Sequence, residues 1–129
     1  MLSDKALILC VDDEEVPLTL RRLVLQKAGY SVVTATSTAQ APEIVESQYL
    51  DLVLSDHLMP GSTGTELARQ IKEIWPQLPV ILISGVNEVP PDAHSADLFL
   101  TKLVGPQILC DTIQQVLTGD TRKKKMTLV

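Results

Sequence analysis

Short unbroken apolar runs alternate along this chain with longer stretches in which apolar residues recur every three or four positions. The runs at 6–11, 30–35, 50–55, 79–83 and 98–101 are short and mainly apolar, and most are bounded by Gly, Pro or acidic residues. Such runs read as strands covered on both faces, as in a parallel sheet. The stretches between them read as helices. The first carries Pro17 in its opening turn, where the missing N–H is not needed. Val16, Leu20, Leu23, Val24 and the stem of Lys27 recur there at helical spacing, and Gly29 supplies the stop.

Residues 37–48 have helical composition but contain Pro42, which predicts a second helix that is short or irregular at its start. A third helix is expected over 65–75, with Leu67, Ile71, Ile74 and Trp75 inward and Pro76 ending it. The last helix starts near Pro106 and keeps its spacing through Leu109, Ile113, Val116 and Leu117, before Gly119. Between 86 and 97 the pattern fades around Pro90-Pro91, leaving room for one or two helical turns at best.

Strands alternating with helices imply a doubly wound α/β fold with right-handed crossovers. The 129 residues suit one domain, expected over 1–118, with 119–129 a basic tail or linker stub. Arg122, Lys123, Lys124 and Lys125 against Asp120 give that tail +3, so the net −5 hides a body of −8. An acidic body argues against direct nucleic-acid binding and suits a site that holds a cation. No apolar stretch is long enough to span a membrane, and the N-terminus lacks a secretory pattern, so a cytoplasmic location is expected. Cys10 and Cys110 fall inside apolar patterns and are expected as reduced core residues.

In a parallel sheet every strand delivers its carboxyl end to one edge, where open α/β folds build their sites. Here those ends carry Asp12 and Asp13, then Asp56, Ser84 and Lys102. With a strand order of 2-1-3-4-5, strands one and three flank the switch point. A plainer reading makes Asp12 and Asp13 openers of the first helix, which accounts for one of the pair and leaves Lys102 unexplained. Three carboxylates in one pocket repel unless a cation offsets them, and all-oxygen ligation suits Mg²⁺. Taken together the groups fit a carboxylate that attacks a phosphoryl group, with a cation, a Lys and a hydroxyl set against its oxygens.

Val11-Asp12-Asp13-Glu14, Ser55-Asp56-His57-Leu58-Met59-Pro60-Gly61, Ile83-Ser84-Gly85 and Phe99-Leu100-Thr101-Lys102 together resemble the receiver domain of two-component response regulators. The resemblance covers roughly residues 5–118. It implies a flavodoxin-like five-stranded sheet of order 2-1-3-4-5 and makes Asp56 the phosphoacceptor. It implies Mg²⁺ held by Asp13, Asp56 and the backbone carbonyl of Leu58, with Asp12 acting nearby or through water. Lys102 would pair with the phosphoryl group, Ser84 would be the switch hydroxyl, and Phe99 the aromatic that changes rotamer with it. Gly85 matches the small residue that leaves the phosphoryl group access.

The sequence departs from the family in having Leu103 where a proline usually follows the Lys, so a trans rearrangement or a strained site is expected there. The Ser84–Lys102 interval is also short, which predicts a shortened helix between the fourth and fifth strands. The expected function is a phosphoacceptor module that takes a phosphoryl group from a phosphohistidine and changes its affinity for a partner. A sensor histidine kinase or phosphotransfer domain is the expected donor, with an unidentified downstream protein and a possible homodimer. The chain is expected to be a stand-alone receiver or one excised from a larger protein such as a hybrid kinase. The alternatives are a receiver fold kept only for docking, and a haloacid-dehalogenase-type phosphatase. The latter places its nucleophile after the first strand as Asp-x-Asp, a spacing that Asp12-Asp13 lacks.

Overall fold

Alternation along the strands sorts the core into two layers, one on each face of a parallel sheet. The computed structural model describes residues 5–59, 62–85, 96–102 and 104–118. In chain order the elements are β1 (Leu7–Val11), α1 (Glu15–Lys27), β2 (Ser31–Ala35), α2 (Gln40–Ser47), β3 (Leu52–Asp56), β4 (Leu58–Met59), β5 (Ser62–Thr63), α3 (Gly64–Ile74), β6 (Val80–Ser84), β7 (Leu98–Thr101) and α4 (Pro106–Thr118). Five strands form one sheet of order β2-β1-β3-β6-β7, every neighbouring pair parallel. Counting those strands alone the order is 2-1-3-4-5, the flavodoxin-like topology that the sequence predicts.

Successive strand residues point to opposite faces. Ile8 and Cys10, Leu52 and Leu54, Ile81 and Ile83, Leu98 and Leu100 therefore share one face, covered by Leu18 and Leu25 of α1 and by Leu109, Ile113 and Val116 of α4. Leu9 and Val11, Val53, Val80 and Leu82 share the other, covered by Ala41 and Val45 of α2 and by Leu67, Ala68 and Ile71 of α3. Nearly all of these side chains are fully buried.

Two helices differ from expectation. On α1 the apolar spacing of Val16, Leu20 and Leu23 faces water, with exposures of 70%, 58% and 51%. The buried face is Leu18 and Leu25, with Arg21 and Arg22 half-buried between them at the i, i+3, i+4, i+7 spacing of one helical side. Helical period alone does not say which of two apolar stripes turns inward. On α3 the inner face is Leu67, Ala68 and Ile71, while Ile74 is 39% exposed.

The ends follow local chemistry. Gly29 at φ +104° closes α1, with its N–H on the Gln26 carbonyl at 3.0 Å and the Tyr30 N–H on the Leu25 carbonyl at 3.1 Å. Thr63 caps α3, its hydroxyl accepting from the Glu66 N–H while the Glu66 carboxylate accepts from the Thr63 N–H. Pro42 sits at the third position of a short α2, whose preceding backbone is tied by Gln40 accepting from the Thr36 N–H at 2.8 Å. At the sheet's amino edge Asp97 accepts from Lys72 Nζ at 2.6 Å and from the Val80 N–H at 2.7 Å, joining the entries of β6 and β7 to α3. Cys10 and Cys110 are free thiols, and burial pushes Cys10 up to about 12. The expected short helix at 86–97, the Lys102–Leu103 bond and the 119–129 tail fall on residues largely outside those described.

Candidate functional site

The same alternation, continued one residue past the strands, brings the polar groups together. Asp12 follows Cys10 in parity, Asp56 follows Leu54, and Lys102 follows Leu100, so all three stand on the α1/α4 side of the sheet. Ser84 and Phe99 have the opposite parity and stand with Leu82 on the α2/α3 side. The register completes the convergence, pairing Val11 with Ser55, Asp56 with Ile83, and Ser84 with Thr101.

Carboxylate oxygens of Asp12, Asp13 and Asp56 lie within 4.8 Å of one another. Asp12 and Asp56 are buried and Asp13 is exposed. Lys102 Nζ stands 3.2 Å from Asp56 Oδ1, an ion-pair distance without the alignment of a hydrogen bond. Asp56 Oδ1 and Ser84 Oγ are both buried with no hydrogen-bond partner among the described residues. His57 Nδ1 is a third such atom; buried polar atoms are nearly always paired, so three without a hydrogen bond around the ends of β3 and β6 mark a place made for something else. Burial pushes the Asp56 carboxyl above the ordinary carboxylate range; Lys102 draws it part of the way back, and the charge of Asp12 adds to the rise.

The end of β3 is clamped. The His57 N–H donates to the Ile83 carbonyl at 2.8 Å, and its own carbonyl accepts from the Gly64 N–H at 2.6 Å. The small β4–β5 hairpin, pairing Leu58 with Thr63, returns the chain to α3 at this point and sets Leu58 two residues past Asp56. A Cβ on Gly64 would lie 2.8 Å from the Asp56 carbonyl oxygen and 2.9 Å from His57 Cα. At Gly85 nothing lies within 4 Å of where a Cβ would go, leaving the edge beside Ser84 open. The Lys102 N–H donates to the Ser84 carbonyl at 2.7 Å, tying the ends of β6 and β7.

The structure thus brings together Asp12, Asp13, Asp56 and Lys102, with Ser84 and Phe99 at the same strand edge but on the α2/α3 side. Two participants escaped the sequence reading. The His57 ring meets Phe99 edge-on, with centroids 5.6 Å apart. Arg21 Nη1 lies 3.2 Å from Asp12 Oδ2, and Asp12 Oδ1 accepts from the Glu14 N–H at 3.0 Å. Asp12 therefore turns the chain ahead of the helix without capping it, since the N-cap is Glu14 and no side chain caps α1, and it also joins the acid cluster. The available signal for Arg21 was its place three residues after Leu18, on the stripe that proves to be buried. Arg21 and Lys102 both border a cavity of about 250 Å³ between α1 and α4, with Pro17, Ile83, Thr101 and Leu109. No helix among the described residues is long and apolar enough to cross a membrane.

The fold and this edge define a flavodoxin-like domain whose carboxyl-end pocket gathers acids, a hydroxyl and a lysine. A family model described as the response regulator receiver domain matches residues 8–114, and the chain belongs to that family. It is 33% identical over 116 residues to the phosphate regulon transcriptional regulatory protein PhoB of Pseudomonas aeruginosa, a match covering 85% of this chain and 51% of that protein. The chain thus spans about half of that relative's length. A CheY-like receiver domain protein from Methanospirillum hungatei superposes with a TM-score of 0.84 at 25% identity, over 93% of this chain and 99% of that one. The response regulator protein TrrA from Thermotoga maritima, solved in complex with Mg²⁺ and beryllium fluoride, gives 0.81 at 28% identity, over 86% and 98%.

Proposed function

We propose that Asp56 accepts a phosphoryl group from a partner's phosphohistidine and that the phosphorylated domain changes its affinity for a downstream protein. The observation that carries this is the cluster of Asp56 with Asp12, Asp13 and Lys102, in which buried Asp56 Oδ1 has an ion pair but no hydrogen bond. An Asp56 oxygen attacks phosphorus, the P–N bond to imidazole breaks as the P–O bond forms, and the departing nitrogen takes a proton from solvent. Lys102 sets its charge against the phosphoryl oxygens and Ser84 donates a hydrogen bond to one of them. Phe99, which touches His57 next to the acceptor, carries the change outward.

The donors fit a hard divalent cation: oxygens of three carboxylates lie within 4.8 Å of one another, and Asp56 Oδ1 lacks a hydrogen-bond donor. Asp13, Asp56 and the Leu58 carbonyl would hold Mg²⁺, with Asp12 reaching it through water; TrrA, similar in fold, is solved with Mg²⁺ and beryllium fluoride. The ion supplies positive charge against the phosphoryl oxygens during transfer. Incubation with acetyl phosphate and Mg²⁺ adds one phosphoryl group by intact mass, and a chelator or Asp56→Ala removes the adduct. No adduct on the wild-type chain leaves only a docking role.

The donor protein is proposed to dock on α1. Val16, Leu20 and Leu23 form an exposed apolar stripe on the helix that begins beside Asp13, and such patches mark interaction sites. Leu20→Glu with Leu23→Glu slows transfer from a phosphohistidine protein by at least about tenfold, while labelling by acetyl phosphate is unchanged. Equal slowing of both reactions would remove α1 from the docking face.

A further inference from the structure

We infer that Arg21 is an internal counter-ion that competes with the divalent cation for Asp12 and so sets how tightly this domain holds its metal. This rests on the metal reading above and goes beyond it by naming a residue that opposes binding. The Asp12 side chain is 2% exposed and the guanidinium that pairs with it at 3.2 Å only 13% exposed, so the pair is sheltered from water and little screened. A cation is needed there. Asp12 is buried beside two further carboxylates, and without compensation their mutual repulsion would act at short range in a poorly solvated pocket.

The two buried carboxylates are served by different cations. Lys102 faces Asp56, but its side chain is 48% exposed and it forms no aligned hydrogen bond there. Arg21 forms a hydrogen bond to Asp12 Oδ2, while Asp12 Oδ1 is already engaged by the Glu14 N–H. Both oxygens of Asp12 are thus occupied by donors of this chain. A metal, or a water held on one, gains Asp12 only as the guanidinium withdraws or shares it. Arg21 also stands its unit charge close to the ion's place. The cavity of about 250 Å³ that Arg21 borders between α1 and α4, beside Lys102, gives the guanidinium room to shift off Asp12.

Two consequences follow by linkage. Metal binding and the Arg21–Asp12 contact oppose each other, so weakening the contact tightens metal. The contact also stabilises the metal-free domain, so its loss makes the domain depend more on metal. Arg21 acts here through Asp12 as a positioning and tuning residue and need not touch the phosphoryl group.

The test is titration of the full chain with Mg²⁺ alone by calorimetry, together with the Mg²⁺-induced rise in Tm, for wild type, Arg21→Met, Arg21→Gln and Arg21→Lys. Arg21→Met is expected to bind Mg²⁺ about tenfold more tightly, to melt lower without metal and to gain more Tm from it. Arg21→Lys keeps the charge and stays within about threefold of wild type. Arg21→Gln retains a donor for Asp12 while removing the charge, and takes the place of Arg21→Met should that variant not fold. Neutral variants whose affinity is unchanged or weaker overturn the inference, even if their Tm falls, because a purely structural Arg21 would lower Tm without tightening metal. Wild-type protein that binds no Mg²⁺ at all overturns the metal reading itself. The two failures are therefore distinguishable.

Discussion

Gly64→Ala is expected to destabilise the domain by about 2–3 kcal/mol, at the upper end of what overpacking usually does. The added Cβ would meet the Asp56 carbonyl oxygen at 2.8 Å, His57 Cα at 2.9 Å and Leu82 Cδ2 at 2.9 Å. Two of these atoms are backbone and cannot swing aside. They belong to the end of β3, which is held by the His57 N–H on Ile83 and by the Gly64 N–H on His57. Relief therefore requires moving α3 or the strand end that carries Asp56. Thermal denaturation should show Tm lower by roughly 10 °C, and surviving folded protein should label more slowly with acetyl phosphate. A variant as stable as wild type would mean that α3 shifts without resistance.

Asp56→Asn is expected to do the reverse and stabilise the metal-free domain at neutral pH by about 1 kcal/mol, an ordinary single-site effect, because the lysine it would leave unpaired is half-exposed. Burial lifts the Asp56 carboxyl above its ordinary range, and the half-exposed Lys102 only partly offsets this. A carboxyl whose folded value is raised contributes stability that is fully present below its unfolded value. That contribution is lost as pH rises through the folded value. Wild type is therefore the weaker protein at neutral pH, and the gap to Asp56→Asn closes as pH falls below the ordinary carboxylate range. Urea melts in chelator across that range measure it. A gap independent of pH, or an asparagine variant less stable than wild type, would contradict the burial argument.

The fold was legible because its signal is repeated. Runs such as Leu7–Val11 and Val80–Ser84 are unbroken, short and flanked by helical spacing, and topology rules leave few ways to join them. The acidic edge was legible for the same reason: a parallel sheet collects its strand ends, so Asp12, Asp13, Asp56, Ser84 and Lys102 could be brought together from order alone. Relations set by packing were not. α1 carries two stripes of helical period, and the one with more apolar residues, through Val16, Leu20 and Leu23, is the exposed one. Leu18 and Leu25 instead pack into the core beneath the sheet. Arg21 was invisible because a cation on a helix usually reads as a solvated face, and only the turn of α1 aims it at Asp12. His57 was likewise invisible as a neighbour of Phe99, since their contact joins the residue just past β3 to β7, and those strands are not adjacent in the sheet.

The central claim is that Asp56 is the residue phosphorylated. Its most direct test is to label the wild-type chain with acetyl phosphate and Mg²⁺, reduce the acyl phosphate with borohydride, and locate the reduced residue by tandem mass spectrometry. Reduction at Asp56, abolished by omitting the phosphodonor, is the predicted result. Reduction at Asp12 or Asp13, or a phosphoryl group that resists borohydride and maps to Ser84, would contradict it.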